Sequence, residues 1–289
     1  MSIQARIAVI GGSGLYNMAE ISDRTRLHIP TPYGETSAEI TLGTLRGKRV
    51  AFLPRHGVGH IHTPSTVPYR ANIFALKSLG VRFIIAINAC GSLREDYAPG
   101  HIVIPDQVFD YTTHRDRSFF EDGLVAHVSV ADPYSPELGA ILVEAVRASS
   151  GTVHYGGTFL IEEGPRFSTR AESHIFRQWG CSLIGMTTCP EVFLAREAEI
   201  AYATMAHVTD YDSWHISEAP VTVEMVVQTL RQNVEIAQKA IAAAVEAIDE
   251  SAVYPCHNAL ETALLTDRAS ISPNMIEKLR PIIGRYFGT

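Results

Sequence analysis

The chain has 289 residues, with 24 Lys and Arg against 31 Asp and Glu, a formal net charge of −7 at pH 7. A hydrophobic fraction of 46% with 19% charged residues excludes disorder over most of the length. The acidic balance, without a Lys/Arg cluster, excludes nucleic acid as the main partner. Apolar runs such as 83–87 fall far short of the roughly 20 residues of a helical membrane span.

Residues 6–10 read as a strand running into the turn Gly11-Gly12-Ser13-Gly14, with no signal peptide ahead of it. Residues 50–53 read as a second strand, ending at Pro54-Arg55-His56-Gly57. Residues 69–79 carry Ile73, Leu76 and Leu79 at helical spacing. A buried-type strand over 83–87 ends at Asn88-Ala89-Cys90-Gly91. Further strands are expected at 101–104, 158–161, 182–186 and 201–208, with a helical stretch at 190–199. The longest helical pattern is 223–248, an apolar stripe through Val223, Val226, Val227, Leu230, Val234, Ile241 and Val245. Thr222 suits its N-cap and Glu224 its dipole. Strands alternating with helices imply a largely parallel sheet with helices on both faces. Cys90, Cys181, Cys189 and Cys256 are irregularly spaced and form no C-x-x-C pair, so neither a zinc site nor a disulfide framework is indicated. A cytoplasmic protein with reduced thiols is expected.

Ligands of open α/β sheets bind at the carboxyl ends of strands. Here those ends carry Ser13, Arg55, His56, Asn88, Thr187, Thr188, Asp210 and Asp212. The glycine turn can aim N–H groups and a hydroxyl at an anion, or be a plain tight turn; it fits neither a Walker A loop nor G-x-G-x-x-G. Arg55 offers a planar fork to phosphate, with His56 donating beside it, or Arg55 makes a surface salt bridge. His56, His60 and His62 lie in a glycine-rich loop without a helical frame, which disfavours metal. Asp210 and Asp212 at alternate positions point the same way on an extended segment, where they can meet an amine and a ring nitrogen, or they belong to a solvated turn. Phe167 can stack on a flat base or fill core, and Met186 likewise faces a ligand or the core.

The motifs IGGSGLY (10–16), TPYGETS (31–37), FLPRHG (52–57), YRANIFALK (69–77), NACGSLR (88–94), VIPDQVFDYT (103–112), EGPRFSTRAES (163–173), IGMTTCPEVFLAREA (184–198) and VTDYDSW (208–214) cover roughly residues 5–248. In their order and length they resemble the 5′-methylthioadenosine phosphorylase family, within the purine nucleoside phosphorylase superfamily. The tail, with Pro255-Cys256-His257-Asn258, is most similar to archaeal-type members. The resemblance implies an α/β fold: a single domain, with a central twisted mixed sheet flanked by helices, over residues 1–250. Residues 251–289 would form a tail of short helices packing on the domain or on a neighbouring subunit.

The activity implied is reversible phosphorolysis of 5′-methylthioadenosine to adenine and 5-methylthioribose 1-phosphate, with inorganic phosphate as co-substrate and neither cofactor nor metal. Phosphate contacts would fall on Ser13, Arg55, His56, Ala89 (through its backbone) and Thr187. Base contacts would fall on Phe167, Asp210 and Asp212, with Met186 against the ribose. The methylthio pocket would fall on Val223, Val226 and Val227, and His127 would serve the neighbouring subunit's site. Asp210, Asp212 and His56 would be the catalytic groups, in a homotrimer or homohexamer. An oxocarbenium-like transition state leaves negative charge on the purine, which Asp210 can stabilise at N7 while Asp212 receives the 6-amino group; positioning and fixed dipoles supply most of the rate.

The sequence departs from the family in places. Asn88 stands where many members have Thr or Ser, Pro68 replaces an Asn, Thr63 sits where Pro is common, and Ser13 replaces the Thr of some members. Three other readings compete: a phosphorylase for methylthioinosine or another 6-oxopurine nucleoside, a non-catalytic nucleoside- or phosphate-binding protein, and a hydrolase acting without phosphate.

Overall fold

The computed structural model describes residues 4–12, 18–121, 123–215 and 223–288, with side chains omitted at 223 and 225–233. In chain order the elements are β1 (Ile7–Gly11), β2 (Ser22–Leu27), β3 (Ile40–Leu45), β4 (Lys48–Pro54), α1 (Tyr69–Ser78), β5 (Phe83–Ser92), β6 (Ile102–Ile104) and β7 (Gln107–Tyr111). Then come α2 (Pro136–Ala148), β8 (Val153–Tyr155), β9 (Thr158–Glu162), α3 (Arg170–Gln178), β10 (Cys181–Gly185), α4 (Thr188–Glu197), β11 (Ala201–Asp210) and α5 (Val223–Ala247). The tail carries two 3₁₀ turns, α6 (Pro273–Lys278) and α7 (Arg280–Phe287).

The strands join in one sheet of order β2-β3-β4-β1-β5-β10-β9-β7, while β11 pairs with β5 and carries β6 and then β8. Pairs β1–β4, β1–β5, β5–β11, β9–β10, β7–β9 and β6–β8 are parallel. Pairs β2–β3, β3–β4, β5–β10 and β6–β11 are antiparallel, so the sheet is mixed, as the resemblance implies, rather than largely parallel, as alternation alone suggests. Strands β1 and β11 are buried at every residue, which explains their continuous apolar runs. Strand β2, SDRTRL, lies exposed at the sheet edge.

Alternate residues of the central strands feed two cores. Ala8 and Ile10 face a layer with Ile73 and Leu76 of α1. Ile7 and Val9 face the other layer, with Leu138 and Leu142 of α2 and Ala240, Ile241 and Ala244 of α5. The predicted N-cap Thr222 lies outside the described residues. All four cysteines are buried and unpaired. No described helix is long and apolar enough to cross a membrane.

The tail packs on this domain. Leu260, Leu279, Ile282 and Ile283 belong to the same core layer as α1. Leu260 N and Arg285 Nη2 both donate to Glu199 Oε1, at 3.0 and 2.8 Å, just before β11. Replacing Ile283, which is fully buried, by Ala is therefore expected to lower stability by about 2–5 kcal/mol in urea unfolding. An unchanged midpoint would mean that the tail is only an appendage.

Candidate active site

Strand β5 continues five residues beyond the expected 83–87, and the candidate site is strung along this extension. Its first half lies between β1 and β11. Its end meets β10 running the other way, Gly91 opposite Ile184 and Ser92 opposite Leu183. The chain leaving β10 therefore returns beside Asn88 and Ala89, which brings Thr187 to the site although β10 is antiparallel to β5. Ile87 and Gly91 are about 13 Å apart along such a strand, a span suited to an anion at one end and a base at the other.

At the first end, Arg55 is buried, not a surface ion pair. Its Nε and Nη2 donate to Glu191 Oε2 and Oε1 at 2.8 and 2.7 Å, and Nη1 donates to Ile87 O at 2.9 Å. Tyr202 Oη also donates to Glu191 Oε1, at 2.7 Å. The bidentate edge of the guanidinium thus belongs to Glu191. Any anion meets only the remaining N–H groups at its tip, which corrects the expectation of an open fork. Asn88 Nδ2 donates to Thr187 Oγ1 at 2.8 Å, while Asn88 Oδ1 and Thr188 Oγ1 are buried without a partner among the described residues. Thr187 is the residue before α4, whose first turn breaks at Cys189 (φ −99°, ψ 133°).

His56 Nδ1 lies 2.9 Å from His62 O, so this nitrogen carries the proton, and the ring stacks on His60 at 4.2 Å. Burial lowers its pKa to about 4. With Nδ1 donating to His62 O, the neutral ring leaves Nε2 as its other polar atom. Among the described residues no three His, Cys, Asp or Glu gather as a metal-ligand set. Ser13 and Gly14 lie outside the described residues.

At the other end, Asp210 closes β11 opposite Gly91. Asp212 does not follow on an extended segment: its φ is +50°, and this left-handed turn, which Asp tolerates better than most residues, brings it beside Asp210. A Cβ on Gly91 would lie 3.0 Å from Asp210 Oδ1 and 3.1 Å from Asp212 Cβ, so glycine is what lets both carboxylates approach the strand. Asp210 accepts from Thr209 Oγ1 at 2.7 Å and from Asp212 N at 2.8 Å. Burial nevertheless pushes its pKa up to about 6. Burial raises Asp212 too, and its Oδ2 is buried without a donor among the described residues.

Sequence reasoning missed several partners here. Ser168 Oγ sits between Asp212 Oδ1 (3.4 Å) and Glu162 Oε2 (3.5 Å). Burial, with Asp212 nearby, raises Glu162 to about 7. Arg115 Nη1 donates to Met186 O and Cys189 O, both at 2.6 Å, and its Nε to Glu163 Oε1 at 2.9 Å, fixing the loops that carry Phe167 and Met186. Phe167 is 39% exposed, which leaves a ring face open. Ala89 lies in β5 itself, with its carbonyl 3.7 Å from where a Cβ on Gly185 would stand. A polar residue ending a predicted strand, as Glu162 does, was the available signal; Glu191 and Arg115 gave none.

His127 is exposed, on a segment tied to the tail by His127 N donating to Ala263 O at 2.9 Å. The side chains of Val223, Val226 and Val227 lie outside the described residues. Glu191→Gln removes the carboxylate charge that Arg55 faces and leaves the guanidinium buried without it. It is expected to cost about 3–5 kcal/mol in chemical denaturation, and a loss near zero would show that the pair is not what holds Arg55.

The phosphorylase superfamily model matches residues 6–246. An S-methyl-5′-thioadenosine phosphorylase of Chloroflexus aurantiacus is 53% identical over 284 residues, covering 98% of this chain and 99% of its own. One of Hyperthermus butylicus is 50% identical over 268 residues, covering 91% and 97%. A crystal structure of a methylthioadenosine phosphorylase from an antarctic soil metagenomic library superposes with a TM-score of 0.93 at 49% identity, over 97% of this chain and 99% of that one. A methylthioadenosine phosphorylase of Schistosoma mansoni in complex with adenine gives 0.78 at 36% identity, over 85% and 93%. By sequence, fold and the placement of its polar strand ends, the chain belongs to the phosphorylase superfamily and, within it, to the S-methyl-5′-thioadenosine phosphorylases.

Proposed function

We propose that this chain catalyses the reversible phosphorolysis of 5′-methylthioadenosine, phosphate attacking C1′ as adenine leaves, to give 5-methylthioribose 1-phosphate. The observation that carries the reading is the pair Asp210 and Asp212, both raised by burial and both against Gly91, at the opposite end of one strand segment from Arg55 and Thr187.

A base departing from C1′ gains negative charge and a proton at N7. Asp210, held near neutrality, donates that proton and afterwards takes one back. Asp212 Oδ2, which has no donor within hydrogen-bond distance among the described residues, accepts from the 6-amino group. A 6-oxopurine would set its carbonyl against that oxygen, which disfavours the methylthioinosine reading. Phe167 stacks on the base and Met186 lies against the ribose. Phosphate sits at the guanidinium tip of Arg55, the Ala89 backbone, Thr187, Ser13 and the Nε2 of His56. Turning the Asn88 amide by half a turn keeps its link to Thr187, the hydroxyl then donating, and presents an N–H to that phosphate. This gives Asn88 the part that Thr or Ser plays elsewhere in the family.

The reaction requires no cofactor or metal. The methylthio group would rest on Val223, Val226 and Val227. His127, exposed on its own subunit, would complete a neighbour's site in a homotrimer or homohexamer of the cytoplasm. The exposed Val125, Val130 and Leu265 near it offer apolar surface for that contact.

A panel of methylthioadenosine, adenosine, methylthioinosine and inosine, each with and without phosphate, tests the reading. Adenine release from methylthioadenosine should depend on phosphate and exceed every other turnover. Faster hypoxanthine release, or release without phosphate, would overturn it. At saturating phosphate, kcat/KM for methylthioadenosine should fall as pH rises above about 6, where Asp210 loses its proton. Asp210→Asn should remove that limb and lower kcat by about 10²–10⁴; an unchanged limb would assign the proton to another group.

A further inference from the structure

A cavity of about 480 Å³ opens at the far end of the sheet from the site described above. Arg6 and Arg82 immediately precede the parallel strands β1 and β5, and Glu199 stands just before β11. Their side chains therefore gather at the amino ends of the strands that carry the active site at their carboxyl ends. Lys77, in the last turn of α1, joins them, and Arg285 closes the cavity from the tail.

The charges in this cavity do not balance. Arg6, Lys77, Arg82 and Arg285 face a single carboxylate, Glu199. That carboxylate is already engaged by Arg285 Nη2 (2.8 Å), Leu260 N (3.0 Å) and Tyr286 Oη (2.5 Å). Arg82 Nη2 donates to His257 Nδ1 at 2.9 Å, which leaves its charge uncompensated. Among the described residues the heads of Arg6 and Lys77 find no hydrogen-bond acceptor. The strain registers on Lys77: burial lowers its pKa to about 8, with Arg285, Arg82 and Arg6 adding to the effect against the opposing pull of Glu199. Like charges held together in a partly closed space favour a ligand that brings the missing negative charge.

We propose that this cavity is a second anion site, which takes a small molecule bearing a pyrophosphate or longer polyphosphate group. The excess of three cationic side chains calls for more charge than one phosphate carries, and Arg supplies the planar donors that phosphate oxygens favour. The volume lies in the range of ligand pockets and exceeds that of the inorganic group alone. An organic part has an apolar wall in Val253, Pro281 and Ile282. All three of these wall residues and Arg285 come from the tail, beyond the residues matched by the superfamily model. The proposal is independent of the phosphorolysis reading.

The test is calorimetric titration of inorganic pyrophosphate into the full chain, with phosphate and adenine at saturation to fill the first site. One further site per chain is expected. Arg6→Gln and Lys77→Gln should each weaken it by about tenfold, the loss of one charge-assisted hydrogen bond. Thr187→Val should leave it unchanged. Both cavity variants should keep wild-type turnover without pyrophosphate and unfold at the wild-type temperature or above, since each removes a like charge. Absence of a further site overturns the proposal. So does binding that Thr187→Val abolishes and Arg6→Gln preserves, which would place pyrophosphate in the first site. A change of subunit assembly in the cavity variants, read by sedimentation, would mean that an acidic segment of another copy fills the cavity and would equally overturn it.

Discussion

Strand β5 has three strand neighbours, and the site depends on how it serves each. Beside β1 and β11 it is an ordinary buried parallel strand. Past Ile87 it leaves β1 behind, keeps β11, and takes β10 as an antiparallel partner at Gly91 and Ser92. That exchange brings the ends of β4, β10 and β11 to one stretch of backbone. Arg55 reaches the carbonyl of Ile87, Thr187 reaches the side chain of Asn88, and the two aspartates close on Gly91. A side chain at Gly91 would press on Asp210, Asp212 and Ile184 together. The absence of a Cβ there is as much a part of the site as the carboxylates.

Around this strand the protein buries charge in two ways. Arg55 and Glu191 are matched by geometry and by Tyr202, so both remain inside with their hydrogen bonds made. Among the described residues Asp210 and Glu162 have no cation in contact, and burial raises both, to about 6 and about 7. The native state binds those protons more tightly than the unfolded chain does. Each group therefore favours folding below its unfolded pKa, and that contribution is lost as pH rises through its folded value. Glu163 runs the other way: its hydrogen bonds from Thr113 N, His114 N, Arg115 and Ser65 outweigh burial and hold it near 2, so its contribution is present at neutrality and lost in acid. A carboxylate raised by burial, Glu162, thus sits next to a structural clamp built from Glu163.

Much of this was legible in the sequence, for reasons that differ by element. The buried strands β1, β4, β5, β10 and β11 announce themselves as apolar runs ended by Gly, Pro or a polar residue. The long helix α5 shows its stripe over 25 residues. Strand β2 carries no such pattern, because an exposed edge strand has no face to bury. Helix α3 buries only Ser173 and Phe176, and its one local signal is the capping box from Thr169 to Glu172. Candidate residues at strand ends are legible because open α/β sheets place ligands there. Glu191 and Arg115 act from the first turn of a helix and from a loop, and only the folded chain brings them to their partners. The hydrogen bond that fixes the tautomer of His56 is likewise invisible in the letters. So is the left-handed turn at Asp212, where an extended reading reaches the right partner by the wrong path.

The tail has a consequence for how the molecule is made. Leu279, Ile282 and Ile283, near the end of the chain, fill the same apolar layer as strands laid down by its first residues, and Arg285 closes over the start of β11. While these residues are still inside the ribosome, one side of the nascent sheet stands open to water. Completion of that layer waits for residues 279–283 to emerge, and until then its uncovered apolar wall is a surface that chaperones or neighbouring nascent chains can reach.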